Sequence, residues 1–160
     1  MRYFEKISFD QFSNDIGNNQ VMYDSIKLPK RATRYSAGYD FYSLEDMVIK
    51  PGEIMKIPTG LKVRMNENDV LMIFVRSSMG FKYNVRLCNQ VGIIESDYYN
   101  NPSNEGHLWI KLQNEGDKDF VVKAGDAIAQ GVFTTFNVVD NEEEITNERT
   151  GGFGSTSKEG

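Results

Sequence analysis

From Met47 to Val139 the apolar residues fall in short runs, with a turn signal every eight to twelve residues. Met47-Val48-Ile49 leads into Lys50-Pro51-Gly52-Glu53, and Ile54 to Ile57 follows. Leu61 to Met65 alternates with period two, and Asn66-Glu67-Asn68-Asp69 turns the chain again. Val70 to Val75 is continuously apolar, the pattern of a strand buried on both faces. From His107 to Gln113 the alternation returns, with Leu108, Ile110 and Leu112 on one face and His107, Trp109, Lys111 and Gln113 on the other. Asn114-Glu115-Gly116-Asp117 and Lys123-Ala124-Gly125-Asp126 are further turns, and Ala127 to Val139 predicts a last long strand or pair. The pattern predicts an all-β, jelly-roll-like domain, with no amphipathic helix after Val21.

The two ends depart from this pattern. Ser8 and Gln11 fit a capping box, Phe9, Phe12 and Ile16 follow helical spacing, and Gly17 marks a stop. Residues 1–20 therefore read as an N-terminal helical extension, residues 21–140 as the β domain and residues 141–160 as a flexible C-terminal arm. The arm begins acidic (Asp140 to Glu144) and continues Arg149-Thr150-Gly151-Gly152-Phe153-Gly154-Ser155-Thr156-Ser157, a composition unable to build a core.

Composition narrows the classes. A chain of 160 residues, 39% hydrophobic and 26% charged, is sized for one domain. No stretch nears 18 apolar residues, which argues against a membrane span. No basic segment precedes an apolar run at the N-terminus, and the one cysteine, Cys88, cannot form an internal disulfide, so a cytoplasmic location is expected. One His and one Cys exclude a Cys/His zinc site within the chain. A net charge of −5 argues against a general nucleic-acid binder.

Several loop segments carry candidate chemistry. Arg76-Ser77-Ser78-Met79-Gly80, after a buried strand, offers a guanidinium, two hydroxyls and a flexible backbone suited to phosphate oxygens. The same residues also fit a helix cap after a strand. Ser36-Ala37-Gly38-Tyr39-Asp40 sets a carboxylate at a strand start, or simply closes a turn. Lys123-Ala124-Gly125-Asp126, ahead of Ile128-Ala129-Gln130, reads by itself as a hairpin turn. Asn89 to Tyr98 brings Glu95 and Asp97 to one face of an extended segment beside Tyr98, suggesting a base with an orienting neighbour, or a solvated strand end.

In this order, Ser36–Tyr42, Arg76–Gly80, Asn89–Tyr98, Gly125–Gln130 and Arg149–Ser157 resemble the five motifs of the trimeric deoxyuridine triphosphatases, or dUTPases. The resemblance runs from about residue 27 to residue 157. It implies the jelly-roll dUTPase fold, a homotrimer with active sites shared between chains, and Mg²⁺-dependent hydrolysis of dUTP to dUMP and pyrophosphate. It implies that Glu95 activates the attacking water. Arg76, Ser77, Ser78, Gly80 and Gln130 would hold phosphates. Asn89, Gly92, Ile93 and Ile94, in a β-hairpin, would read uracil, with Trp109 adding a backbone contact. Tyr98 would lie on the deoxyribose and exclude a 2′-hydroxyl. Phe153 would stack on the base, Arg149, Ser155 and Thr156 would close over the γ-phosphate, and Gly154 would also bind substrate. Asp40 would act through water near the ion, which the substrate triphosphate carries, so no side chain need ligate it directly.

The chain departs from the family pattern at several points. Glu95 stands where aspartate is usual, Val75 where proline is usual, and Ala127 where arginine is usual. The segment Tyr99 to Glu105 is longer than the usual turn, and one residue is missing between Arg149 and Gly152. Two rivals remain. A dCTP deaminase, which shares the fold, carries a glutamate where this chain has Lys111 and lacks the Gly-Gly-Phe-Gly tail. A nucleotide-sensing or protein-binding module would keep the scaffold with weak turnover.

Overall fold

The structure is a computed structural model that describes residues 1–154 and residue 156. In chain order it contains β1 (Tyr3–Lys6), α1 (Phe9–Asp15), α2 (Gln20–Ser25), β2 (Lys30–Arg31), β3 (Tyr39–Tyr42), β4 (Met47–Ile49), β5 (Ile54–Pro58) and β6 (Leu61–Arg64). Then follow β7 (Asp69–Phe74), α3 (Ser77–Tyr83), β8 (Val85–Leu87), β9 (Gly92–Glu95), a 3₁₀ turn (Ser96–Tyr98), β10 (Trp109–Asn114), β11 (Phe120–Val122) and β12 (Ala127–Thr135). The all-β expectation holds. Two short helices, α2 from Gln20 and α3 from Ser77, stand where the pattern marked no amphipathic helix. Both are under two turns long, and α3 fully buries only Met79 while α2 buries no residue fully. Segments so short leave no readable 3.6-residue period.

The strands form a five-stranded sheet in the order β2-β3-β12-β7-β9, a three-stranded sheet β5-β10-β8, and the pairs β1-β6 and β11-β4. All pairings are antiparallel. Side chains alternate across a strand, so register decides which face each residue takes. In the five-stranded sheet, Ile73 pairs with Gly92 and Gly131, and Leu71 with Ile94 and Phe133. This inner face packs on Phe41, and Leu71 and Ile73 are buried. The other face carries Val70, Met72 and Phe74 of β7 beside Gln130, Val132, Ile93 and Glu95. In a single chain Met72 and Phe74 are only half-buried, so β7 is not covered on both sides as its apolar run predicts.

The N-terminal segment is woven into the body. Strand β1 was not foreseen; it pairs with β6 from Tyr3↔Arg64 to Lys6↔Leu61. Phe4 lies 5.5 Å from both the Phe41 and Phe133 rings. Ser8 caps α1 by accepting from the Gln11 N–H at 3.1 Å. The reciprocal half of the expected box is supplied from far away: the Ser8 N–H and hydroxyl both donate to Glu105. Gln11 instead donates to Asp15. Ile7 and Phe12 are completely buried, and Phe12 packs with Phe9 and Tyr23. Arg2 grips the buried Asp69 with two hydrogen bonds of 2.7 Å each, which holds that carboxyl below its ordinary pKa.

Phe12→Ala should therefore cost about 3–5 kcal/mol, as a core truncation and not as loss of an appendage. Urea unfolding at fixed protein concentration measures it, and a cost near zero would mean that α1 is not part of the core.

Candidate active site

Two cavities collect the candidate residues. The first, about 330 Å³, is lined by Ile73, Leu87, Asn89, Gly92, Ile93, Ile94, Glu95, Tyr98, Leu108, Trp109, Arg149, Phe153, Gly154 and Thr156. The second, of similar volume, is lined by Ala32, Ser36, Gly38, Asp40, Arg76, Ser77, Ser78 and Gln130. The two sets share no residue. Gly80 lines neither. It sits inside α3 with open space where a side chain would be. Ser155 lies outside the described residues.

The second cavity is built by one row across the five-stranded sheet. Asp40 on β3 pairs with Gln130 on β12, and Gln130 pairs with Phe74 at the end of β7. Gln130 Nε2 donates to the Val75 carbonyl at 3.1 Å, so the position where proline is usual serves through its backbone. Asp40, mostly buried, meets the Arg76 guanidinium at 3.2 Å. Arg76 precedes α3 without capping it by side chain, which leaves Ser77 and Ser78 in its first turn. The result is a guanidinium, two hydroxyls and an amide on one wall, a donor set suited to phosphoryl oxygens. Gly38 makes room for it. A Cβ there would lie 2.3 Å from Gln130 Oε1 and 3.1 Å from Gln130 Cβ.

The first cavity forms where the chain crosses between sheets. The segment from Asn89 to Ile94 is not a hairpin: β8 pairs with β10, whereas β9 pairs with β7. The turn between them is closed locally by Gln90 N–H to Leu87 O (3.0 Å) and Val91 N–H to Asn89 O (2.7 Å). Glu95 ends β9 opposite Val70, and the chain then curls into the 3₁₀ turn. Glu95 and Asp97 thus do not share one extended segment. They nevertheless converge, because Arg149 bonds both: Nη2 donates to Glu95 Oε2, and Nε donates to Asp97 Oδ1 at 2.7 Å. Arg149 is largely covered, at 13% side-chain exposure, while both carboxylates are more than half exposed.

Tyr98 forms the buried back of this cavity. Its hydroxyl donates to the His107 carbonyl at 2.8 Å and accepts from Asn104 Nδ2 at 2.8 Å. Burial pushes its pKa above the ordinary value. The arm covers the Tyr98 ring, with the Arg149 guanidinium 5.8 Å from the centroid. A Cβ on Gly152 would sit 2.8 Å from that ring, so a close approach requires glycine there. Phe153 is exposed, and Lys56 Nζ lies 5.0 Å from its ring and 4.4 Å from that of Trp109. Lys56, a cation beside these two rings, is one that the sequence pattern did not single out. Its alternation within β5 predicts only an outward side chain.

A dUTPase family model matches residues 24–157. The chain belongs to the dUTPase family. That membership makes it an enzyme. A deoxyuridine 5′-triphosphate nucleotidohydrolase of Lactococcus lactis is 48% identical over 132 residues, which is 82% of this chain and 88% of that protein. One of Haemophilus influenzae is 36% identical and spans 97% of this chain and 99% of its own. The crystal structure of the dUTPase from Streptococcus mutans aligns with a TM-score of 0.71 at 40% identity, covering 87% of this chain and 99% of that one. Against the family pattern, Ala127 falls at a shift in the register between β12 and β3, and Asp40 takes Arg76 as its cation. Lys111, where a deaminase has glutamate, is exposed on β10 and lines neither cavity.

Gly38→Ala should displace Gln130 and lower the kcat/KM of this dUTPase by about tenfold or more. Its melting temperature should change little, because the severest clash, at 2.3 Å, falls on the end of one flexible side chain. Steady-state kinetics beside a melt tests this; unaltered kinetics would show that Gln130 is not held by Gly38.

Proposed function

We propose that this chain hydrolyses dUTP to dUMP and pyrophosphate at sites shared between three copies. One observation carries the reading: the candidate base and the phosphate-binding residues stand at opposite ends of β7, in separate cavities. Glu95 pairs with Val70, and Arg76 lies six residues further along, roughly 20 Å of extended chain. Between them runs the outer face of Met72, Phe74, Val132 and Ile93, half-buried or exposed in one chain. A second copy laid on this face would cover its apolar side chains and bring a cradle to a base. A head-to-tail contact of this kind forms a ring when its rotation closes. Three copies accord with the family resemblance.

In that assembly Glu95 takes a proton from a water aimed in line at the α-phosphorus. The water oxygen bonds to phosphorus as the bond to the α–β bridging oxygen breaks, and pyrophosphate leaves. Arg76, Ser77, Ser78 and Gln130 hold the phosphates, so the work is positioning and charge neutralisation. Asn89, Gly92, Ile93 and Ile94 read uracil with Trp109 at the edge, Tyr98 underlies the sugar, and Phe153 covers the base. Gly154, Thr156 and Arg149 close the site. Arg149 in this chain engages Oε2 of Glu95 and Oδ1 of Asp97.

Among the described residues no cluster of three or more His, Cys, Asp or Glu side chains suits a metal ion. The donor set of the cradle would suit a triphosphate carrying Mg²⁺ on its own oxygens, and Asp40 would act on that ion through water. The ion, when bound, neutralises triphosphate charge.

Pyrophosphate release from dUTP with Mg²⁺, run beside UTP, dTTP and dCTP, tests the activity; dUTP alone should be consumed at an appreciable rate. Glu95→Gln should lower turnover about 10³-fold or more while dUTP still binds; unchanged turnover would name another base. Glu95→Gln and Arg76→Ala proteins, each inactive alone, should recover part of the activity when unfolded and refolded together. No recovery would mean that base and cradle act within one chain.

A further inference from the structure

The N-terminal helix reaches the back of the nucleoside pocket through one buried ring. Asp15, the last residue of α1, approaches His107 with 2.6 Å between Oδ2 and Nδ1. The imidazole is completely buried, and its Nε2 accepts the Gly60 N–H at 2.9 Å. A ring nitrogen that accepts carries no proton, so this ring is neutral and donates from Nδ1 to the carboxylate. The charged groups around it are Asp15 from α1, Glu105 from the long loop and Lys56 from β5. Burial outweighs both carboxylates and holds the His107 pKa below its ordinary value.

Three features transmit the position of this ring to the cavity. Its centroid lies 4.8 Å from that of Trp109. The His107 carbonyl receives the Tyr98 hydroxyl at 2.8 Å. The next residue, Leu108, lines the cavity with Trp109 and Tyr98, whereas His107 and Asp15 stand behind that wall. Leu108 is itself held by Thr59, whose hydroxyl donates to the Leu108 carbonyl at 2.7 Å.

We propose that Asp15 and His107 are a positioning pair for the nucleoside pocket: the α1 carboxylate fixes the imidazole, and the imidazole fixes the plane of Trp109 and the carbonyl that anchors Tyr98. This rests on the nucleoside reading of that cavity given above. Neither residue touches substrate, so losing the pair weakens binding more than chemistry. A purely structural pair would lower the melting temperature and leave the pocket unaltered.

The chain contains a single tryptophan and a single histidine, so Trp109 emission reports on this ring without labelling. The full-length protein, Asp15→Asn, Asp15→Ala and His107→Gln are compared by dUTP hydrolysis, thermal melting, and Trp109 fluorescence with and without dUMP. Asp15→Asn keeps an oxygen that accepts from Nδ1, so it should stay near wild type in all three. Asp15→Ala should raise KM for dUTP about tenfold with kcat within about threefold, and should change both Trp109 emission and its response to dUMP. His107→Gln, which retains a donor and an acceptor but no ring, should raise KM similarly. A folded Asp15→Ala or His107→Gln protein with wild-type KM and wild-type dUMP response overturns the proposal, whatever its melting temperature. If the unaltered protein hydrolyses no dUTP, the nucleoside reading falls by itself. The emission of Asp15→Ala then still decides the coupling, and emission identical to wild type rejects it.

Discussion

β7 hydrogen-bonds β9 along one edge and β12 along the other, in a register that places Gly92 to Glu95 on one side and Gln130 on the other. Leu71 and Ile73 turn inward onto Phe41 and cannot be exchanged with their neighbours without emptying the core. Their alternates then face outward, and with them go Glu95 on β9 and Gln130 on β12. A slip of one residue on β9 would carry Glu95 inside and Ile94 out. Core packing therefore secures the chemistry at a distance. It holds Glu95 at one end of the outer face and Arg76 with Gln130 at the other.

The departures from a minimal chain support one another. The loop from Tyr99 to Glu105 and the N-terminal segment meet at Lys62, which is almost fully buried and binds Glu105 and Asn100 at 2.7 Å each. Glu105 completes the cap of α1, and Tyr99 bonds Glu5 of β1. Burying charges is costly unless they are paired and saturated with hydrogen bonds, so neither element is easily removed alone.

Much of this was legible in the sequence. Period-two alternation and turn residues marked β4 to β7, β10 and the start of β12, because those strands have one buried face or a closing turn. The candidate residues could be grouped by motif, since Arg76, Ser77 and Ser78 or Glu95 and Asp97 are neighbours in the chain. Partition into two cavities was not legible, because it depends on β8 and β9 joining different sheets, and pairing partners are long-range facts. Strand β1 was missed for a related reason: Tyr3 to Lys6 is short, and only its pairing with β6 makes it a strand. Lys62, Lys56 and the Asp15–His107 pair were equally invisible. A lone lysine or histidine in an alternating strand gives no sign of what will pack against it.

The arm leaves the body after Thr135, and residues 136–148 contain neither helix nor strand before Arg149 reaches Glu95. Thirteen such residues span at most about 45 Å, and behave on average as a coil of roughly 20 Å. A tether of that length presents its end at an effective concentration on the order of millimolar to any pocket within reach. Were copies assembled as proposed, the same tether would reach a neighbour's pocket as well as its own wherever the two lie within that span.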